Sequence, residues 1–160
     1  MSWVNAVYID GASGTTPTHQ VGDLLVVIAT RWSSSAPTSV GSGWTDSGSF
    51  AGTYAMRIGW KIATATNDAT GTWGSASSLY VGVWRGPLGL GAVAANSSSS
   101  SAAQLPGLTL QQPGSSLVGT FATANSQAPT PAGCTSRWTD GNDRWADTDT
   151  AVSSWSAQSI

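Results

Sequence analysis

Few side chains in this sequence can do chemistry. His19 is the only histidine, Cys134 the only cysteine, and all eight acidic residues are aspartate. His19 lies in the polar run TTPTHQ. A hydroxyl nucleophile would need such a base, oriented by a carboxylate, and Asp10 and Asp23 are the carboxylates nearest in sequence. No Gly-x-Ser-x-Gly elbow occurs, so His19 reads as a surface-loop residue. Without glutamate, a glycosidase would require two aspartates on facing strands, and no spacing marks such a pair. Cys134, in Ala-Gly-Cys-Thr, reads as a small packing residue rather than a nucleophile. Zinc needs several Cys or His ligands, more than the chain holds. The acidic segment 138–150, WTDGNDRWADTDT, gathers Asp140, Asn142, Asp143, Asp147 and Asp149, oxygen donors of the kind calcium prefers. Its spacing departs from an EF-hand loop, because Arg144 stands in the third ligand slot and no Glu follows. It reads as a solvated, turn-rich loop. The expectation is no catalytic residue, no cofactor and no metal.

Nine tryptophans are the more informative set. Trp60 lies on the apolar side of its segment and is expected in the core. Trp44 and Trp138 end two similar phrases and read as equivalent core plugs. Trp84 stands opposite Leu79, Val81 and Val83, and faces the other side of its sheet. A domain of this length rarely needs nine core tryptophans, so some are expected outside. Exposed aromatics stack on the C–H face of a sugar or anchor a protein interface. The candidate interface or glycan contacts are Trp32, Trp84 and Trp145, with Asp140 and Asp143 beside them.

Strands must position these residues. Ser, Thr, Ala and Gly make up 85 of 160 residues, and Lys61 is the only lysine, so the straight-chain helix formers are scarce. Residues 53–64 alternate: Tyr54, Met56, Ile58, Trp60 and Ile62 on one face, with Thr53, Ala55, Arg57, Gly59, Lys61 and Ala63 on the expected wet face. Residues 79–84 alternate as well. Residues 24–30 are continuously apolar and predict a central strand buried on both faces. Weaker strands are expected at 3–9, 105–110, 117–122 and 151–157. Turn pairs such as Asp10-Gly11, Gly86-Pro87, Pro113-Gly114 and Asp140-Gly141 separate the segments. The fold class predicted is all-β: a single antiparallel β-sandwich or jelly-roll-like domain over 1–160. The serine run at 97–101 reads as part of a long surface loop at about 95–104. Two echoed strand–loop–strand units lie at about 22–46 and 114–140. Each runs from Gly through an apolar strand, a polar stretch and Ala-Pro-Thr to Gly and then Trp-Thr-Asp.

Net charge is −2, and the six basic residues are scattered, which excludes a phosphate-binding surface and hence nucleic acid as a partner. The longest strongly apolar run is too short to span a membrane, so no membrane association is expected. The start MSWVNAVYIDG predicts no signal peptide. One cysteine rules out an internal disulfide framework and fits a reducing compartment.

The phrases GDLLVVIATRWSSSAPTSVGSGWTD, YAMRIGWKIATATND, WGSASSLYVGVWRG and SSLVGTFATANSQAPTP resemble small β-sandwich structural proteins of tailed bacteriophages. Such proteins decorate capsids or form modules of tails and fibres. The resemblance spans about residues 20–140. It implies a non-enzymatic virion protein, made in the host cytoplasm, whose partners are the viral capsid or other virion proteins, or copies of itself in a homo-oligomer. Capsid decoration on the outer head surface is the first expectation. A carbohydrate-binding module of a tail or fibre is the alternative.

Overall fold

The computed structural model describes residues 2–86, 89–95, 104–110, 119–122 and 128–159. Ten strands follow in order: β1 (Ser2–Asp10), β2 (Leu24–Arg31), β3 (Thr45–Phe50), β4 (Ala55–Ile62), β5 (Ser78–Arg85), β6 (Gln104–Leu105), β7 (Gly119–Ala122), β8 (Thr135–Asp140), β9 (Asp143–Asp147) and β10 (Gln158–Ser159). The described residues contain no helix, and every strand pairing is antiparallel. The chain is all-β, of the β-sandwich class, as its turn punctuation predicts. It gathers into two compact units, Ser2–Leu90 and Gly91–Ile160, where the sequence reading placed one domain. The loop expected at 95–104 falls mostly outside the described residues.

In Ser2–Leu90 the sheet runs β1-β5-β2-β4-β3. β2 is central and buried along its length up to Thr30, as an unbroken apolar run requires. On one face Leu25, Val27, Ala29, Leu79, Val81 and Val83 form the core with Trp44, Ala63 and Trp73. The two indoles come from loops that are laced to one another. Thr38 N donates to Gly74 O at 2.7 Å, Trp73 N to Ala12 O at 2.8 Å, and Gly14 N to Thr70 Oγ1 at 2.8 Å. Trp73 is fully buried, with Nε1 donating to Thr70 O at 3.0 Å.

This layer covers the face of β4 expected to be wet, and on the face expected in the core only Ile58, at 7% exposed, is buried. Ala55 and Ala63, predicted wet, are 0% and 2% exposed. A Cβ on Gly59 would stand 2.8 Å from Trp73 Cη2, so only glycine leaves room for the ring. Trp60, on the predicted core face, is half-buried, with Gly89 against its ring. Small residues read as indifferent in sequence, yet their smallness is what admits an indole. Arg57 and Lys61 share that face because their stems are apolar and their heads are partnered by Asp46 and Asp68.

The second unit repeats three pairings of the first, but among the described residues it has no counterpart of the β5–β2 pairing that makes the first a single sheet. The first strand pairs with the fifth (β1 with β5, β6 with β10), and the fourth lies between the second and third (β2-β4-β3, β7-β9-β8). Register repeats too. Thr45, Asp46 and Gly48 oppose Trp60, Gly59 and Ile58, while Thr135, Ser136 and Trp138 oppose Asp147, Ala146 and Trp145. Each edge strand carries its irregularity at the same place, at Ser47 and at Arg137. Each follows a turn with a left-handed glycine, Gly43 (φ 81°) or Gly133 (φ 76°). The phrases at 22–46 and 114–140 each lead into the edge strand that carries this irregularity, β3 or β8, and 114–118 and 123–127 lie outside the described residues. The tryptophans do not correspond, however. Cys134 takes the position of Trp44, and Trp138, half-buried, takes that of Gly48.

Three other expectations change in detail. The strand expected at 105–110 shortens to β6 plus an isolated bridge from Leu108 to Trp155. Residues 151–157 hold that bridge rather than a strand, and β10 follows them. Of the strand expected at 117–122, β7 covers Gly119–Ala122, and 117–118 lie outside the described residues.

Candidate functional site

Most charged side chains are engaged inside the fold. Arg85 donates to both oxygens of Asp23, each at 2.9 Å, and Gln20 N donates to Oδ2 at 2.8 Å. Asp23 is 1% exposed, and the Arg85 guanidinium outweighs burial to hold its carboxyl below the usual range. Arg57 bonds Asp46 through Nε at 3.1 Å and the Pro37 carbonyl through Nη1 at 3.0 Å. In the second unit Arg137 bridges Asp147, at 2.8 Å, and Asp149. Arg144 occupies the position of Arg57 and does the same work. Its Nε donates to Ala128 O at 2.5 Å, and its Nη1 to Thr130 Oγ1 and Ser136 Oγ at 2.7 Å.

His19 is not a surface-loop residue. It is 3% exposed, and its carboxylate neighbour is Asp68, distant in sequence, rather than Asp10 or Asp23. Nδ1 lies 2.7 Å from Pro17 O and donates to it, and Nε2 accepts from Asp68 N at 3.4 Å. Thr16 Oγ1 donates to Asp68 O and stands 3.4 Å from Nδ1. Burial raises the Asp68 carboxyl, but Lys61 Nζ at 2.5 Å and the Ala65 and Thr64 amides outweigh it, and the group falls to about 2. A hydroxyl, an imidazole and a carboxylate do meet here, yet each is tied to backbone, and the set joins two loops. The loop crossing that brings Asp68 to His19 has no local signal in sequence.

The acidic segment is a hairpin rather than a solvated loop. β8 and β9 pair from Asp140–Asp143 outwards, around Gly141 (φ 54°) and Asn142. Asp147 and Asp149 answer Arg137. The described residues contain no cluster of three or more His, Cys, Asp or Glu suited to a metal. Burial, reinforced by Asp147 and Asp149, pushes the Cys134 thiol up to about 11, which suits packing and opposes nucleophilic attack.

The five predicted contact residues do not form one set. Trp84 is 6% exposed, its ring edge-on to Trp3 at 4.9 Å, and Trp145 is 3% exposed. Both indoles are covered within the chain and present no ring to a partner. Asp140 is exposed, Asp143 half-buried, and the two face each other across the hairpin end. Of the nine tryptophans five are buried and three half-buried, so the core uses far more of them than expected. Only Trp32, at 73%, is exposed. Trp84 sits opposite Leu24, about 25 Å from Trp32 along β2.

Trp32 has its own surroundings. Its ring meets Tyr54 edge-on, centroids 4.8 Å apart. Tyr54 belongs to the loop 51–54 between β3 and β4, a segment the sequence assigned to a strand. Ser77 anchors the backbone: Ser77 N donates to Thr30 O at 2.8 Å, Trp32 N to Ser77 Oγ at 3.4 Å, and Gly11 N to Ser77 O at 2.9 Å. Ser77 thus ties Trp32 to the end of β1, where Asp10 is exposed. Asp10, Ser78, Thr30, Met56 and Phe50 form one cross-strand row, and Trp32 and Tyr54 stand two residues beyond it, past the Arg31–Ala55 pair. Asp10 and Arg31 are the charged side chains of Ser2–Leu90 with no hydrogen-bond or ion-pair partner among the described residues. Both belong to this end of the sheet.

The chain matches no protein-family model, no curated protein and no solved structure. Among the described residues no helix is long and apolar enough to cross a membrane.

Proposed function

We propose that the chain is a non-enzymatic structural protein of a tailed-phage virion, attached as a decoration protein to the outer surface of the head. The virion assignment rests on the resemblance of its strand and loop phrases to phage β-sandwich proteins. One observation carries the non-enzymatic half of the reading. The chain's sole histidine is 3% exposed, with both ring nitrogens engaged by the loops it joins. Asp23, Asp46 and Asp147 likewise serve internal pairs with Arg85, Arg57 and Arg137, and the exposed surface of the described residues is rich in hydroxyl groups and small side chains. Such a surface attaches through hydrogen bonds and apolar contacts rather than through ion pairs.

Attachment therefore tolerates salt, although screening lengths fall from about 10 Å at ~0.1 M to about 3 Å at 1 M. Purified protein is mixed with stripped capsids and sedimented at both ionic strengths. Comparable pelleting at both is expected, and no pelleting at either overturns the proposal. Antibody-gold labelling of the particle distinguishes sites: label on heads is expected, and label confined to tails replaces decoration by the tail or fibre module.

A further inference from the structure

We infer that the Trp32–Tyr54 pair is a carbohydrate-binding platform, with Asp10 as its hydrogen-bonding neighbour. The inference stands apart from capsid attachment and goes beyond it. Eight of nine indoles are buried or half-buried, and Trp32 alone leaves most of its ring to solvent. That ring is already positioned, by the edge-on contact with Tyr54 and by the bond from its amide to Ser77. A ring held in place loses little freedom when a ligand stacks on it.

The surroundings select the ligand. Trp32 is followed by Ser33, Ser34 and Ser35, and Tyr54 is preceded by Gly52 and Thr53. A protein hot spot is a well-packed, desolvated anchor, and this rim of small hydroxyl side chains differs from that. A pyranose ring presents what the rim matches: an apolar C–H face for the indole and an edge of hydroxyl groups. The unpartnered Asp10 carboxylate accepts two hydrogen bonds from neighbouring sugar hydroxyls, and the unpartnered Arg31 donates. A nucleic-acid base would also stack, but its phosphates would meet Asp10 on a chain of net charge −2.

The repeat supplies an independent argument. In the second unit Gly141 and Asn142 alone join the third and fourth strands, whereas residues 51–54 join them in the first. Tyr54 thus sits on an addition to a shared frame, in a loop, where binding residues concentrate.

The test titrates ¹⁵N-labelled protein with soluble tetra- to hexasaccharides of glucose, galactose and N-acetylglucosamine, alongside a glycan array that includes host surface polysaccharide. Saturable shifts of the Trp32 indole N–H, with the buried Trp73 indole unmoved, are expected for at least one glycan. Trp32→Ala weakens that binding about tenfold or more, and Asp10→Asn weakens it less. Trp32→Tyr, which keeps an aromatic face, restores part of it. Capsid pelleting is the same for all three variants, which separates this inference from the decoration reading. Absence of binding to every glycan overturns it, as does glycan binding that survives Trp32→Ala unchanged.

Discussion

The two units share three strand pairings and differ in what surrounds them: the first is one five-stranded sheet, the second a two-stranded and a three-stranded sheet. In both, an arginine on the fourth strand, Arg57 or Arg144, reaches back to a carbonyl in the proline-containing loop, Pro37 O or Ala128 O. In both, the same arginine bonds the residue two places after the left-handed glycine turn's last residue, Asp46 or Ser136. The arginine thus fastens loop to strand, and it recurs because the loop's carbonyl needs a donor. The settings then diverge. Trp44, with Lys61 5.6 Å from its ring centroid, plugs the first loop layer, where the second has Cys134. The irregularity carries Ser47 in the first unit and Arg137 in the second, where it reaches Asp147 and Asp149. The joining loop is widened only in the first unit, and the exposed indole meets the tyrosine at its end. Frame and elaboration are separable: the arginine and the register belong to the frame, the aromatic pair to one copy.

The plugs give the largest expected effect. Trp73→Ala removes a fully buried indole and should cost about 3–5 kcal/mol. Trp60→Ala, on a half-buried ring, should cost less than half as much. Denaturant unfolding of both variants checks this, and equal costs would restore the original assignment of faces in β4.

Acid separates the two units next. Asp68 titrates at about 2 in the fold against an ordinary 3.8. Its folded value is depressed, so its contribution is complete above about pH 4 and is lost as pH falls through 2. That contribution is about 2 kcal/mol. Asp149 is also lowered, by the Thr135 hydroxyl and Arg137, but it is exposed. Salt should therefore erase the part of the acid response that Asp149 contributes and leave the part that Asp68 contributes. Stability measured from pH 5 to 2 at low and high salt, with Asp68→Asn as the reference, reads the difference. An acid response in Asp68→Asn as steep as in the wild type would contradict it.

The smallest effect sharpens the repeat itself. Arg57→Ala and Arg144→Ala should each cost about 1–2 kcal/mol, because each leaves a loop carbonyl without its charged donor. Hydrogen exchange should show loosening confined to the loop each arginine holds. A loss for one and none for the other would mean that the two arginines share a position without sharing a role.

How much of this was legible depends on whether the signal is local. The apolar run of β2 and the alternation of β5 lie within a few residues, and both strands stand where the pattern put them. β3, β8 and β9 are polar, short and irregular, and the alternation test passed over them. The Asp140-Gly141 turn was visible, but the strands that it joins were not. At the candidate site Trp32 was singled out from its type and place at a strand end. Tyr54 and Asp10 were not, because their nearness to Trp32 depends on the register of β1, β5, β2 and β4.

Composition and periodicity by themselves determined an all-β chain with a doubly buried central strand, and an echo between its two halves. Those properties follow from backbone alternation and from the absence of residues that hold a helix. Tertiary structure alone decided which face of β4 is core, which carboxylate meets His19, and which indole stays outside. In each case the deciding partner comes from a distant loop: Trp73 over Gly59, Asp68 beside His19, Tyr54 against Trp32. A face becomes buried when something covers it, and what covers it is set by loop crossings that no local pattern encodes.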